Sequence, residues 1–181
     1  PHTTQPNANR LTTAVSGPQY QLSISTQSTS AIVSPANTSG EDDFQTGYQH
    51  YLKSQYTQSL PYFLKAASAG YPPAYLYLYR LYDVNGRIGP KNPIESAQWK
   101  AKTAEQFKWF EAQVATGKAQ AQNHLAWCYS EGMGATENKQ KAFEYFEKAA
   151  KQEWVEAQTN LGFCYKNGQG VAQDHKQQVF W

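Results

Sequence analysis

The chain has 181 residues, 40% of them hydrophobic, which is about the length of one domain and enough apolar side chain for an ordinary core. Charged residues make up only 17%, against roughly 25% in typical soluble domains, and the formal net charge is +2, while aromatic residues reach 14%. So small a charge does not favour nucleic-acid binding, and no apolar run approaches the roughly 18 residues of a membrane span, so we expect neither nucleic acid as a partner nor membrane insertion.

Residues 1–40 differ sharply in composition from the rest of the chain. They contain 14 Ser and Thr residues but only one charged residue, Arg10, and one aromatic residue, Tyr20. Such a segment cannot build a core of its own, so we predict an extended N-terminal arm. Within it, Tyr20, Leu22 and Ile24 alternate with polar residues, a strand-like period. We expect these three side chains to dock on a neighbouring subunit or on the remainder of the chain.

Residues 41–181 contain an internal repeat. The stretches 121–134 and 157–170 share Ala, Gln, Leu, Cys, Tyr and two glycines at a constant offset of 36. The same frame continues upstream, where Ala74 stands 47 residues before Ala121. The repeat predicts four units, of which the last is incomplete, at about residues 41–72, 73–118, 119–154 and 155–181.

Each unit is predicted to consist of two helices. Ala121, Leu125 and Tyr129 are spaced i, i+4, i+8, which places them on one helical face. Gly132 follows where a helix C-terminus favours positive φ, and Asn138 then offers an N-cap for a second helix.

Unit four carries a recognisable pattern, together with the Lys148-Ala149-Ala150 ending of unit three. Its residues are Ala157, Leu161, Gly162, Tyr165, Gly168, Gly170, Val171 and Asp174. Over about residues 74–181 the chain resembles Sel1-like repeats, and unit one, with its short link near residues 53–56, is more similar to the related tetratricopeptide repeat. The resemblance implies an all-α fold, a right-handed α-solenoid of about four helix pairs, in which the first helix of each unit lines a concave face.

Unit two departs from this pattern in two ways. Asn92 precedes Phe107 by 15 residues, about ten more than the equivalent interval in unit three, which predicts a lengthened second helix. Tyr79 also occupies the position of the small residues Ala126 and Gly162, and a side chain of that size is expected to push the two helices apart.

No residue pattern predicts a catalytic, cofactor or metal site. The four histidines lack partners at metal-ligand spacing, and His124 is interpreted as a solvated helix position. We expect no catalytic residue, no cofactor and no metal site, and therefore no enzyme. Cys128 and Cys164 occupy equivalent positions on neighbouring helices, too far apart for a disulfide, so we predict two free thiols.

One row of side chains suits binding. Arg80, Trp127 and Phe163 share an equivalent position that faces the groove in tetratricopeptide-like helices, with Asn123 and Thr159 one turn earlier. Arginine and aromatic residues dominate binding hot spots, which favours recognition of a protein or peptide. Alternatively, Trp127 and Phe163 pack between units.

Two functions remain open at this stage. The first is a non-enzymatic scaffold for protein–protein interaction that uses the groove. The second is an exported structural subunit that assembles head to tail into a filament through its arm and its last repeat, since Trp181 matches the middle of a second helix. Export, to the periplasm, the cell surface or the medium, is an expectation. It would make the acceptor sequence that begins at Asn37 available for glycosylation.

Overall fold

All regular structure in the described part of the chain is helical. A computed structural model describes residues 38–83 and 91–181. The helices in these ranges are α1 (Thr38–Leu52), α2 (Tyr56–Ser68), α3 (Pro72–Leu81), α4 (Pro93–Glu105), α5 (Phe107–Val114), α6 (Ala119–Glu131), α7 (Lys139–Ala150), α8 (Val155–Asn167) and α9 (His175–Phe180).

Consecutive helices pack as pairs, α1 with α2, α3 with α4, α6 with α7 and α8 with α9. Successive pairs contact each other through α2 and α3, α5 and α6, and α7 and α8. This arrangement confirms the predicted all-α solenoid of helix pairs.

The helix ends follow the predicted signals. Gly132 and Gly168 end α6 and α8 in the left-handed conformation, at φ of 63° and 65°. Asn92, Asn138 and Asp174 each accept a backbone N–H through their side chain at the start of α4, α7 and α9. The turn chemistry therefore repeats with the unit.

The second helix of unit two is broken, whereas we predicted one lengthened helix. Gln106, at φ −96° and ψ 10°, separates α4 from α5. One turn earlier the Thr103 hydroxyl donates to the backbone oxygen of Trp99 at 2.8 Å, a bond that tends to bend helices. Tyr79 is half-buried, and its hydroxyl donates to Glu131 of α6 at 2.9 Å. That Tyr79 pushes the two helices of its unit apart stays a prediction.

Three clusters of buried side chains run along the helix pairs. The first lies among α1, α2, α3 and α4, the second joins α3, α5 and α6, and the third fills the space among α6, α7 and α8. Cys128 and Cys164 are buried and unpaired, as predicted. Burial raises their pKa values to about 12 and about 11, so both remain thiols at neutral pH.

Candidate functional site: the first-helix ladder

The first helices of the units present one equivalent side chain each. In three units the N-cap residue of the second helix donates its backbone N–H to a carbonyl oxygen near the end of the first helix. These bonds run from Gln55 to His50, from Asn138 to Tyr129 and from Asp174 to Tyr165, at 2.9–3.0 Å. This correspondence adds Tyr48 to the row that the sequence had placed at Arg80, Trp127 and Phe163. We call these four residues the first-helix ladder.

Glu156 of α8 joins the first helices of all four predicted units. Its carboxylate is only 8% exposed and accepts from the Tyr77 hydroxyl at 2.6 Å, the Tyr48 hydroxyl at 3.4 Å and the Asn123 amide at 3.3 Å. It also forms an ion pair with Arg80. Helices α1, α3, α6 and α8 therefore meet at one buried carboxylate, which sequence analysis did not single out.

Arg80 is held between aromatic rings as well as by the carboxylate. Its guanidinium carbon lies 4.3 Å from the Trp127 ring centroid, 5.4 Å from that of Tyr51 and 5.6 Å from that of Tyr77. Each distance is within the range of a cation–π contact. Two members of the ladder, Arg80 and Trp127, are thus bound to each other inside the chain.

The charges of this network reinforce one another. Burial on its own would raise the pKa of Glu156, but the charge of Arg80 and the hydrogen bonds from Tyr77 and Arg80 outweigh it and hold that pKa below its usual value. Burial and the nearby carboxylate raise the pKa of Tyr77 well above the ordinary tyrosine value. At neutral pH the network therefore consists of an ionised carboxylate, a guanidinium and protonated phenols.

His124 is buried, contrary to the prediction of a solvated position. It is 3% exposed, and its ring meets those of Phe44, Tyr77 and Phe110 edge to face at centroid distances of 5.8–6.3 Å. Burial lowers its pKa to about 4, so the ring is neutral at physiological pH. A solvated position was inferred because unit four has a polar residue there, Asn160, but that residue is buried as well.

The residues predicted for the groove lie in two different environments. Asn123 is fully buried, donates to Glu156 and accepts from the Asn160 amide at 3.1 Å. Thr159 is exposed, and Phe163 keeps 47% of its surface accessible. The ladder therefore divides into an interior part in units one to three and an exposed member in unit four.

The exposed member borders a pocket of about 270 Å³ between α8 and the end of α9. The pocket is lined by Thr159, Gly162, Phe163, Lys166, Gln178 and Trp181. The absence of a side chain at Gly162 keeps the two helices close, since a Cβ there would stand 3.3 Å from the Gln178 carbonyl oxygen. The pocket thus combines two aromatic side chains with one lysine.

Several predicted features are not located by the structure. Tyr20, Leu22, Ile24 and Asn37 lie outside the described residues. Within residues 38–83 and 91–181, no cluster of His, Cys, Asp and Glu is arranged to hold a metal ion. In the same ranges no helix has both the length and the apolar character needed to cross a bilayer.

Comparison with known proteins identifies the repeat. The family model described as Sel1 repeat matches residues 44–71, 119–153 and 155–178. The first match falls in unit one, which sequence analysis had placed closer to the tetratricopeptide repeat, and that interpretation was wrong. None of the matched stretches falls within unit two, the unit with the broken helix.

Two solved structures are similar to the chain. One is a Sel1 repeat protein from Oxalobacter formigenes, 30% identical over 66% of this chain and 81% of that chain, with a TM-score of 0.36. The other is a protective antigen of uropathogenic Escherichia coli strains described as displaying an SLR fold, 26% identical over 77% of this chain, with a TM-score of 0.39. This chain spans 36% of the length of that second protein. No curated protein matches the chain in sequence.

Proposed function

The chain belongs to the Sel1-repeat family, and from that premise we propose that it is a protein-interaction module whose contact surface is the pocket of unit four. The family repeat supports a scaffold function in general terms. The finer assignment of the surface rests on the exposure of side chains along the first-helix ladder.

The observation that carries the proposal is the exposure of Phe163. Tyr48, Arg80 and Trp127, the other ladder residues, are engaged with Glu156 or with one another. A partner could reach them only by breaking a buried ion pair, which is costly. Phe163 is 47% exposed beside the unit-four pocket, where an incoming apolar side chain could cover it without disrupting any contact of the fold.

The proposal predicts that Phe163 is an energetic centre of partner binding. Random peptides of about a dozen residues, displayed on phage and selected on the wild-type chain, provide the probe. Phe163→Ala is expected to weaken the selected peptides by about 2 kcal/mol, roughly thirtyfold in Kd, because aromatic anchors dominate such interfaces. Fluorescence anisotropy measures the affinity.

Ile94 supplies the matched control, since it is 71% exposed on α4 and does not line the pocket. Ile94→Ala should leave peptide affinity unchanged, and both variants should keep the far-ultraviolet circular dichroism of the wild type. If Ile94→Ala weakened binding as much as Phe163→Ala did, the surface would lie elsewhere.

A further measurement on the same proteins addresses self-association. A second copy of the chain is another candidate occupant of an exposed aromatic surface, as the filament hypothesis requires. Analytical ultracentrifugation should show a monomer over the concentrations used for peptide binding. Concentration-dependent assembly that Phe163→Ala abolishes would replace peptide recognition by self-association.

A further inference from the structure

The pocket of unit four pairs an apolar wall with a cation that has no counter-charge. Phe163 and Trp181 supply the aromatic surface. Lys166, in the last turn of α8, is exposed and forms no ion pair with any residue in the described ranges. Phe163 and Lys166 lie one helical turn apart on α8, so a ligand in the pocket can touch both.

The other charged groups of unit four do not neutralise Lys166. Glu156 lies in the interior and is paired with Arg80 of α3. Asp174 accepts the backbone N–H groups of Lys176 and Gln177 at the start of α9, at 2.8 Å and 3.1 Å. Lys176, which is exposed, adds a second positive charge to the unit. Among the residues that line the pocket, Lys166 alone has a charged side chain.

The polar groups of the pocket are mainly donors. Lys166 can only donate hydrogen bonds. The side-chain oxygen of Gln178 lies 3.2 Å from His175 Nδ1, and an amide oxygen can only accept, so the Gln178 N–H groups remain available. The Thr159 hydroxyl donates to the Val155 carbonyl at 3.2 Å, which directs that proton away from a ligand. A ligand that offers an anionic acceptor matches this set.

We propose that the unit-four pocket takes an acidic peptide segment, in which an apolar side chain packs on Phe163 and Trp181 while a nearby aspartate or glutamate pairs with Lys166. This inference rests on the proposed function, because it specifies the chemistry of the partner at the same pocket. Lys166 supplies the charge selectivity, and the aromatic side chains supply the contact area. Opposite charge across an interface also accelerates association and makes the affinity sensitive to salt.

The peptide selection described above tests the charge preference directly, since phage-displayed peptides have no free C-terminal carboxylate. Sequences selected on the wild type should contain an aromatic or large aliphatic residue within a few positions of an acid. Lys166→Glu should weaken their binding at least tenfold in Kd, and selection on that variant should enrich basic sequences instead. Lys166→Gln should give an intermediate loss and a smaller dependence on salt.

Lys176→Glu is the control, because it reverses an exposed lysine of the same unit that does not line the pocket. It should change the affinity much less than Lys166→Glu does.

The outcomes separate the two proposals. Peptides that depend on Phe163 but are neutral or basic, and are insensitive to Lys166→Glu, would overturn the charge preference and leave the proposed function intact. A selection that yields no peptide dependent on Phe163 would overturn the proposed function and this inference with it. Assembly of the chain with itself through Phe163 would show that a second copy, rather than an acidic peptide, fills the pocket.

Discussion

Glu156 shows how a buried carboxylate is compensated in this fold. Removing such a group from water costs several kcal/mol, and the cost is recovered only when the partners satisfy its oxygens and its charge. Here three hydrogen-bond donors and one guanidinium do so, and all of them come from other helices. The residue is thus placed by tertiary contacts, and it in turn holds α1, α3 and α6 against α8.

Loss of that charge should strongly destabilise the chain. Glu156→Gln keeps the shape of the side chain but leaves Arg80 buried without a counter-ion, so we expect the free energy of unfolding to fall by about 3–5 kcal/mol. Urea unfolding followed by circular dichroism measures the change.

Glu144→Gln, on the exposed side of α7, should alter stability by no more than about 0.5 kcal/mol. Combining Glu156→Gln with Arg80→Met should recover part of the loss, because both charges are then removed. A wild-type stability for Glu156→Gln alone would show that Arg80 finds its compensation elsewhere.

His124 should make stability depend on pH. Its pKa is about 4 in the folded chain against about 6.5 when unfolded, so the unfolded state binds more protons between these values. The free energy of unfolding therefore falls as the pH drops from about 6.5 towards 4, by about 3 kcal/mol in total from this group. Urea titrations between about pH 5 and 6.5 isolate the contribution of His124 to the free energy of unfolding, because the contribution of Glu156 is lost only at lower pH.

His124→Phe should flatten this pH dependence, because the ring is surrounded by aromatic side chains and the replacement cannot be protonated. His175→Gln, at an exposed position of α9, should leave the dependence as it is in the wild type. An unchanged slope for His124→Phe would mean that another group titrates in this range.

At the scale of single elements, local signals in the sequence predict most of the fold. The apolar spacing, the N-caps and the glycines after α6 and α8 recur with the unit because each depends only on residues nearby in the chain. The break at Gln106 was not predicted, since nothing in the spacing of α4 and α5 distinguishes a bent helix from a straight one. The surroundings of the break are tertiary, since Gly134 in the loop of unit three packs closely against Ala104 and Phe107 on either side of it.

Gly170 provides a test of how these loops dock on the preceding unit. It has φ of +73°, and a Cβ there would collide with the backbone of Lys139 and Gln140 at the start of α7. Gly170→Ala should therefore cost clearly more than the roughly 1 kcal/mol expected for positive φ alone.

Gly117 gives the comparison, because it has φ of +71° but open space around its Cβ direction. In thermal unfolding, the melting temperature of Gly170→Ala should lie well below that of Gly117→Ala. Equal melting temperatures would show that the loop moves away from α7 without cost.

At the scale of the whole molecule, the important contacts join residues far apart in sequence. Tyr48 and Glu156 are separated by 108 positions, and Tyr48 also stacks on Trp154 at 5.7 Å with an interplanar angle of 2°. Alignment of the repeats could place Arg80 and Trp127 in one row. It could not show that Glu156 would cover them, because the curvature that brings unit four to unit one is a property of the assembled solenoid.

We propose binding at unit four because this closure leaves Phe163 as the exposed ladder residue, and chemical-shift mapping tests that proposal most directly. An isotope-labelled chain is titrated with a selected peptide, and the backbone amide signals are followed. We predict that the largest shifts occur at the amides of Thr159, Phe163, Lys166 and Gln178, and that the amide signals of Tyr48 and Arg80 stay unchanged. Shifts centred on Tyr48, Arg80 and Trp127, with Phe163 unaffected, would contradict it.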